Sequence, residues 1–242
     1  MERVGGLRIP AHVHGYPRVA FGGYVAGLLA ARAGADAELR VDFRRPVPVE
    51  APLMLTTTDS GGHALTDPDG AILAESSKAA VTIGHPSAPS WEQVVARTEA
   101  VLDDRRVTDC YGCGSACAPG RGLRLFPAVL DDMIVAAWTP APELGGPDGT
   151  LSPENVWAAL DCPGGWAGIE LLGMRYGSAV TAALTGTRYA PIHAGERYIS
   201  YAWPISAEGR KYTVGVAIAT PDGAPRALAE ALWIQPRTTP TR

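Results

Sequence analysis

FGGYVAGLLAARAG, residues 21–34, and NVWAALDCPGGWAG, residues 155–168, are two apolar, glycine-punctuated helical stretches, and each opens the same series of signals. After each comes a proline-containing extended segment, RRPVPVEAP from Arg44 and RYAPIHAGE from Arg188. A hairpin signal then follows, Pro68-Asp69-Gly70-Ala71 in the first series and Pro221-Asp222-Gly223-Ala224 in the second. Three features recurring in one order argue for a tandem repeat of a single fold. The copies differ at the helix centre, where the first carries Ala30 and the second Asp161. That asymmetry directs the search for chemistry to the second helix.

Working outward, residues 1–20 read as an extended entry to the first helix. Apolar residues from Gly22 to about Ala33 cover most of a helix surface, as expected of a helix wrapped by a sheet. LRVDF from Leu39, APLMLTTT from Ala51 and AILAESSKAAVTI from Ala71 alternate or carry β-branched residues, predicting strands and a hairpin. GHPSAPS at residues 84–90 is a linker by composition, and Ser90 with Gln93 predicts a capping box on an amphipathic outer helix. GLRLFPAV and MIVAAWTP predict strands, and Ser152, Pro153 and Glu154 supply an N-cap, a proline at N1 and a first-turn acid for the second core helix. GTRYAPI, RYISYAWPI, KYTVGVAIA and APRALAEALWIQ predict a second run of strands, before a frayed tail TTPTR. The expected class is α+β. Its expected divisions are an N-terminal unit at 1–88, a linker helix at 89–106 and a C-terminal unit at 107–242.

The chain's 242 residues suffice for one large domain or two small ones, and 46% hydrophobic with 19% charged residues places it among globular proteins. No window approaches a membrane span and the N-terminus lacks the apolar core of a signal peptide, so a cytoplasmic protein is expected. Cys110, Cys113 and Cys117 crowd together while Cys162 stands alone, which is unlike a disulfide framework and predicts reduced thiols. A net charge of −4 and the lack of a basic run argue against nucleic acid as a partner. The pairs Arg44 and Arg45, Arg105 and Arg106, and Arg121 and Arg124 read as solvated surface groups that could still meet phosphate.

Asp161 falls among Trp157, Ala158, Leu160 and Trp166, where an ionised carboxylate needs a partner, a raised pKa or a water-holding cavity. The plain alternative is an ion pair with Arg175 or Arg188. Pro163 then removes a helical hydrogen bond, and Gly164 and Gly165 follow, so the helix is expected to kink beside the acid. Gly22 and Gly23 leave the amides of the first helix unobstructed, a cradle for a carbonyl oxygen, or else a place for close packing. Cys110-Tyr111-Gly112-Cys113-Gly114 resembles half a zinc ribbon but lacks a second knuckle or nearby histidine, so no metal or other cofactor is expected. Cys162 reads as a small buried cysteine or a nucleophile, and His12 and His14 as loop residues or a general acid or base.

With these residues the chain resembles the double-hotdog acyl-CoA thioesterases of the thioesterase II-like (TesB-type) family. FGGYVAGLLAARA looks like that family's first helix and LRVDFRRPVPVEAPL like its following strand. CYGCGSACAPGRGLRL is similar to a segment of single-hotdog, PaaI-like thioesterases, where it binds no metal. The resemblance implies a double hotdog, two tandem units each with a long helix wrapped by an antiparallel sheet. It implies hydrolysis of an acyl thioester on coenzyme A or an acyl-carrier protein, with Asp161 as the catalytic aspartate that activates the water. Thr181 falls on the family's hydroxyl position, and Glu230 is the best match to its glutamine, a departure that would set a second carboxylate beside Asp161. Phe21 stands where the single-hotdog enzymes carry a histidine. The acyl group is expected between the two helices, against Gly22, Gly23, Phe21 and Trp157, with water activated by Asp161 and the carbonyl polarised by the amide of Gly22 or Gly23. A double-hotdog dehydratase using His14 and Asp161, and a non-catalytic acyl-binding protein, are the alternatives. Self-association through sheet edges stays open.

Overall fold

A computed structural model describes residues 2–34, 37–103 and 107–237. Arg105, Arg106, the end of the expected linker helix and the tail TTPTR lie outside the described residues. The first half contains β1 (Glu2–Leu7), β2 (His14–Tyr16), β3 (Val19–Ala20), α1 (Gly22–Ala33), β4 (Leu39–Phe43), β5 (Leu53–Thr57), β6 (His63–Thr66) and β7 (Ile72–Lys78). After α2 (Trp91–Ala100), the second half contains β8 (Ala128–Leu130), β9 (Met133–Trp138), α3 (Pro153–Ala159), α4 (Cys162–Glu170), β10 (Val180–Arg188), β11 (Tyr198–Glu208), β12 (Lys211–Ala219) and β13 (Pro225–Ile234).

Eleven strands form one antiparallel sheet in the order β1-β5-β6-β7-β4-β10-β13-β12-β11-β9-β8. Taken within each half, β1-β5-β6-β7-β4 and β9-β11-β12-β13-β10 have the same order, so the repeat signalled by the sequence is a repeat of topology. The halves join at β4 and β10, where Ala183 pairs with Asp42 and Gly186 with Leu39. The two Pro-Asp-Gly-Ala turns are matching elements in fact. Gly70 and Gly223 both take φ 87°, a left-handed conformation that glycine adopts without a Cβ clash. In each turn the residue before the proline accepts from the amide of the alanine, Asp67 from Ala71 at 2.8 Å and Thr220 from Ala224 at 3.0 Å.

One face of the sheet holds α1, α3 and α4 in one apolar core. α1 crosses α3 so closely that a Cβ on Gly27 would lie 2.3 Å from Glu154 Cα, and one on Gly23 would lie 2.5 Å from the Trp157 carbonyl oxygen. The glycines thus serve helix-on-helix contact, which brings the N-terminus of α1 against the end of α3. The single second helix expected from sequence is two. Pro163 has no N–H to give the Ala159 carbonyl, the backbone tightens to i−3 hydrogen bonds at Asp161 and Gly164, and the chain breaks into α3 and α4 with Asp161 in the joint.

On the other face α2 lies over β8 and β9, burying Val94 in a second apolar cluster with Val135, Ile199 and Tyr201. Its capping box is formed as expected, Ser90 Oγ accepting from Gln93 N and Ser90 N donating to Gln93 Oε1, both at 3.3 Å. The strand expected over GLRLFPAV begins only at Ala128. Upstream, Leu123 and Leu125 give their amides to the Tyr111 and Gly112 carbonyls, so this stretch pins the cysteine knuckle instead of joining the sheet. Among the described residues no helix is long and apolar enough to cross a membrane.

Candidate functional site

Asp161 is 2% exposed, and its two oxygens have different partners. Oδ2 accepts from the Gly23 amide at 2.7 Å, and Oδ1 accepts from Thr181 Oγ1 at 2.7 Å. Among the described residues no arginine provides the balance considered from sequence. Instead, a helix N-terminus faces the carboxylate, where unpaired amides and the helix dipole favour negative charge. Thr181 comes from β10 beside a bulge, since its pairing with Trp233 and that of Ala183 with Leu232 leave Ala182 as the extra residue. Such an insertion bends a strand and re-aims its side chains. Here the hydroxyl meets the helix joint.

Burial pushes the Asp161 carboxyl up from 3.8 to about 6, while the hydrogen bonds from Thr181 and Gly23 hold it back. It is therefore a carboxylate at neutral pH with a proton affinity well above that of an ordinary aspartate. A substituent on Gly22 would sit 3.1 Å from Asp161 Oδ2 and 3.3 Å from Thr181 Oγ1. The bare face of that glycine is thus the open approach to both groups.

Asp161 and Thr181 open into a cavity of about 570 Å³. Its apolar walls include Phe21, Phe43, Trp166, Tyr212 and Trp233, and Arg44, Arg45 and Arg175 line its exposed side. Arg44 is held by Glu75 at 2.8 Å. Trp233 stacks on Tyr212 with a 6.0 Å centroid separation and a 6° interplanar angle, and covers Gly165. The indole N–H of Trp233 is buried and has no partner among the described residues.

The residues expected from sequence sort cleanly. Asp161, Thr181, Phe21 and Gly22 meet at the cavity. Gly23 does not line it and gives its amide to Asp161, so of the two glycines proposed for a carbonyl only Gly22 lines the cavity. Trp157 is a core residue whose ring packs on Gly186, with indole carbons 3.1–3.3 Å from where a Cβ would be. Glu230 is not brought to the site. Along β13, Ala229, Ala231 and Trp233 face the helices, so the two-residue period turns Glu230, paired with Thr185 and Gly215, to the other face of the sheet. His14 also stays outside the cavity lining, with Nδ1 2.8 Å from the Ala11 carbonyl and Nε2 3.4 Å from Asp109.

Two features escaped the reading from sequence. Trp233 lies across from Thr181, a pairing fixed only by the register of β10 and β13. Cys162, solitary in sequence, meets Cys110 and Cys113, and all three line the cavity. Hydrogen bonding to Cys113 together with burial pushes the Cys110 thiol up to about 12, and contact with Cys110 and Cys113 with burial raises Cys162 as well. Cys110 and Cys162 are therefore neutral thiols at physiological pH.

No family profile matches the chain, and no curated protein does. Solved structures do. The tesB protein of Mycobacterium avium subspecies paratuberculosis superposes with a TM-score of 0.61 at 16% identity, covering 98% of this chain and 96% of that one. An acyl-CoA thioesterase II, TesB2, from Mycobacterium marinum gives 0.51 at 15% identity, covering 91% of each chain. The pyran synthase domain from module nine of the sorangicin pathway gives 0.63 at 14% identity, covering 98% of each chain. At such identities the likeness speaks to architecture. With the duplicated strand order and the central helices, it makes this chain a double hotdog, an α+β protein of two tandem units in one sheet.

Proposed function

We propose that the protein hydrolyses acyl thioesters of coenzyme A or an acyl-carrier protein. The observation that carries this reading is the pairing of Asp161 with Thr181 and the α1 N-terminus at the wall of an apolar cavity. A buried carboxylate with a pKa near 6 is a suitable general base at neutral pH, because it is ionised yet basic. In this scheme a water held by Asp161 and Thr181 attacks the thioester carbonyl carbon and gives its proton to Asp161. The oxyanion forms beside the Gly22 amide, which supplies one donor of an oxyanion hole. Collapse breaks the carbon–sulfur bond, and the proton returns from Asp161 to the departing sulfur, leaving a carboxylic acid and a free thiol. A positioned base and one oxyanion donor each contribute on the order of 10²-fold or more. For an acyl thioester, already electrophilic, that suffices.

The apolar walls suit an acyl chain, and Arg44, Arg45 and Arg175 suit the phosphates of the carrier at the exposed side. Names of structural neighbours support the same class, two being a tesB protein and an acyl-CoA thioesterase II. The dehydratase alternative needs a second proton-transfer group, and no histidine lines the cavity among the described residues. Free-thiol release from short, medium, aromatic and long acyl-CoAs tests the proposal, with wild type compared against Asp161→Asn and His14→Ala. Release that disappears in Asp161→Asn and persists in His14→Ala is expected. Undiminished release by Asp161→Asn refutes the assignment of the base, and no release by wild type from any of these substrates transfers weight to the dehydratase and acyl-binding readings.

A further inference from the structure

Cys110, Cys113 and Cys162 come from two distant parts of the chain and converge so that their sulfur atoms all lie within 4.8 Å of one another. Cys110 and Cys113 flank a tight knuckle, and Cys162 is the first residue of α4. The knuckle sits on Cys162 because residue 112 is glycine; a Cβ there would stand 2.8 Å from Cys162 Cβ and 3.0 Å from its Sγ. Gly114 is equally constrained, since a Cβ would meet the Cys110 carbonyl oxygen at 2.6 Å. Tyr111, between them, is fixed by donating its hydroxyl to Asn155 Oδ1 of α3 at 2.6 Å and its amide to the His14 carbonyl at 2.8 Å. The three thiols are therefore held together by the surrounding backbone and side chains as well as by their own hydrogen bonds.

Two more observations point to a ligand. Trp166, one turn after Cys162 on α4, donates its indole N–H to Cys113 Sγ at 3.4 Å, the kind of outer contact that steadies a coordinated thiolate. All three cysteines also line the cavity, which leaves a coordination position open toward its interior. Cys117 is not part of the group, and its Sγ turns instead to the Cys110 carbonyl at 3.5 Å. In a tetrahedral zinc site with Zn–S bonds of about 2.3 Å, the sulfurs stand about 3.8 Å apart. The separations of the trio, all within 4.8 Å, are close to that spacing.

We propose that Cys110, Cys113 and Cys162 form a three-thiolate site for one thiophilic d¹⁰ cation of the zinc class, with its fourth position open to a ligand in the cavity. Soft sulfur ligands select such ions over magnesium or calcium. Binding replaces the thiol protons, which leave to solvent, so affinity rises with pH and the titration releases protons. Three protein ligands with an open fourth position is also the coordination number of a zinc that meets exogenous ligands. A sequence search for four ligands at zinc-ribbon spacing misses it, because the third ligand lies in another helix and the fourth is not from the protein.

The test uses the full chain, reduced and stripped with a chelator, then titrated with Cd²⁺ while thiolate-to-metal charge-transfer absorption and proton release are followed. One equivalent is expected to give the band of three thiolates. Cys110→Ser, Cys113→Ser and Cys162→Ser are each expected to weaken binding by roughly 100-fold, Trp166→Phe by about 10-fold, and Cys117→Ser to leave it unchanged. A band without saturation at one equivalent, or one that survives the three serine variants, overturns the site. So does loss in Cys117→Ser. Because a serine variant can fail to fold, wild-type protein is also alkylated with iodoacetamide with and without Zn²⁺ and mapped by mass spectrometry. At least tenfold slowing at Cys110, Cys113 and Cys162 alone supports the site, and equal rates overturn it. These readouts do not use thioester turnover, so the metal site and the hydrolase reading stand or fall separately.

Discussion

Replacing Asp161 by asparagine separates the cost of the buried charge from the shape of the site. The carboxyl is raised from 3.8 to about 6 in the folded protein, and each pKa unit is worth about 1.4 kcal/mol, which together give about 3 kcal/mol. The sign follows from linkage: the native state holds this proton more tightly than the unfolded chain. The contribution is fully present below pH 3.8 and lost as pH rises through about 6. Asparagine cannot ionise, yet it can accept from the Gly23 amide and donate to Thr181, whose hydroxyl is free to turn. The unfolding free energy of Asp161→Asn minus that of wild type is therefore expected to increase by about 3 kcal/mol over the whole titration, about 2 kcal/mol of it between about pH 4 and about pH 7.5. Most of the change falls between pH 4.5 and 6.5. Urea denaturation at four pH values in chelator-containing buffer measures it, and the other carboxylates cancel in the difference. In a thermal scan the same gain is roughly 6–12 °C for a domain of this size. An inactive variant more stable than its parent at neutral pH is the outcome, a buried functional charge held at the expense of stability. A difference flat in pH, or one that moves against Asp161→Asn as pH rises, would refute the account of this carboxylate as charged by desolvation against its will.

The same ionisation sets the expected rate profile: kcat/KM for thioester hydrolysis increases about tenfold per pH unit below about 6 and levels off above 7, and a profile already flat at pH 5 contradicts Asp161 as base. Thr181→Val removes the hydroxyl that meets Asp161 Oδ1 and is expected to lower kcat by on the order of 10²-fold while Thr181→Ser retains most of it, which steady-state kinetics on folded proteins decides. Gly27→Ala puts a methyl group into the backbone of Glu154, so a loss of about 2 kcal/mol or more is expected in urea unfolding, together with lower activity as α1 moves from Asp161; a neutral substitution shows the helix crossing to be looser than drawn.

Much of the fold was legible because its signals were local. The paired Pro-Asp-Gly-Ala turns, the capping box at Ser90 and Gln93, and the alternation in LRVDF each depend on neighbouring residues, and each forms as read. Asp161 was legible for a related reason: one acid in an apolar helix followed by Pro163 is a conflict within a few positions. What escaped depends on register or on distant contact. Glu230 was matched by its place in LAEALWIQ, but a strand presents alternate residues to opposite faces, so an offset of one residue decides between cavity and outer face. Trp157 was placed on the acyl group because the acyl chain was expected between the two helices, whereas the helices meet directly at Gly23 and Gly27 and the Trp157 ring packs on Gly186. The cysteine trio is the extreme case. Cys162 lies far along the chain from Cys110, and nothing in either neighbourhood points to the other.

The duplicated architecture also explains why only one of its two helices carries an acid. Ala30 stands at the same offset from the start of α1 as Asp161 does from the start of α3, and it is buried among apolar side chains. An aspartate there would face the same desolvation that raises Asp161 without the helix end and hydroxyl that hold Asp161 back, so at neutral pH it would cost more than the roughly 3 kcal/mol that Asp161 carries. In a domain whose total stability is commonly 5–15 kcal/mol, that is a large increment for a group with no partner. The opposing helix begins with Pro153, which has no N–H to contribute, whereas α1 begins with two glycines whose amides are unobstructed. The asymmetry is therefore one arrangement seen twice. α1 gave up side chains so that its amides could meet a charge, and the second unit supplies the charge, while the reciprocal position, with proline on one side and alanine on the other, carries neither the function nor its energetic burden.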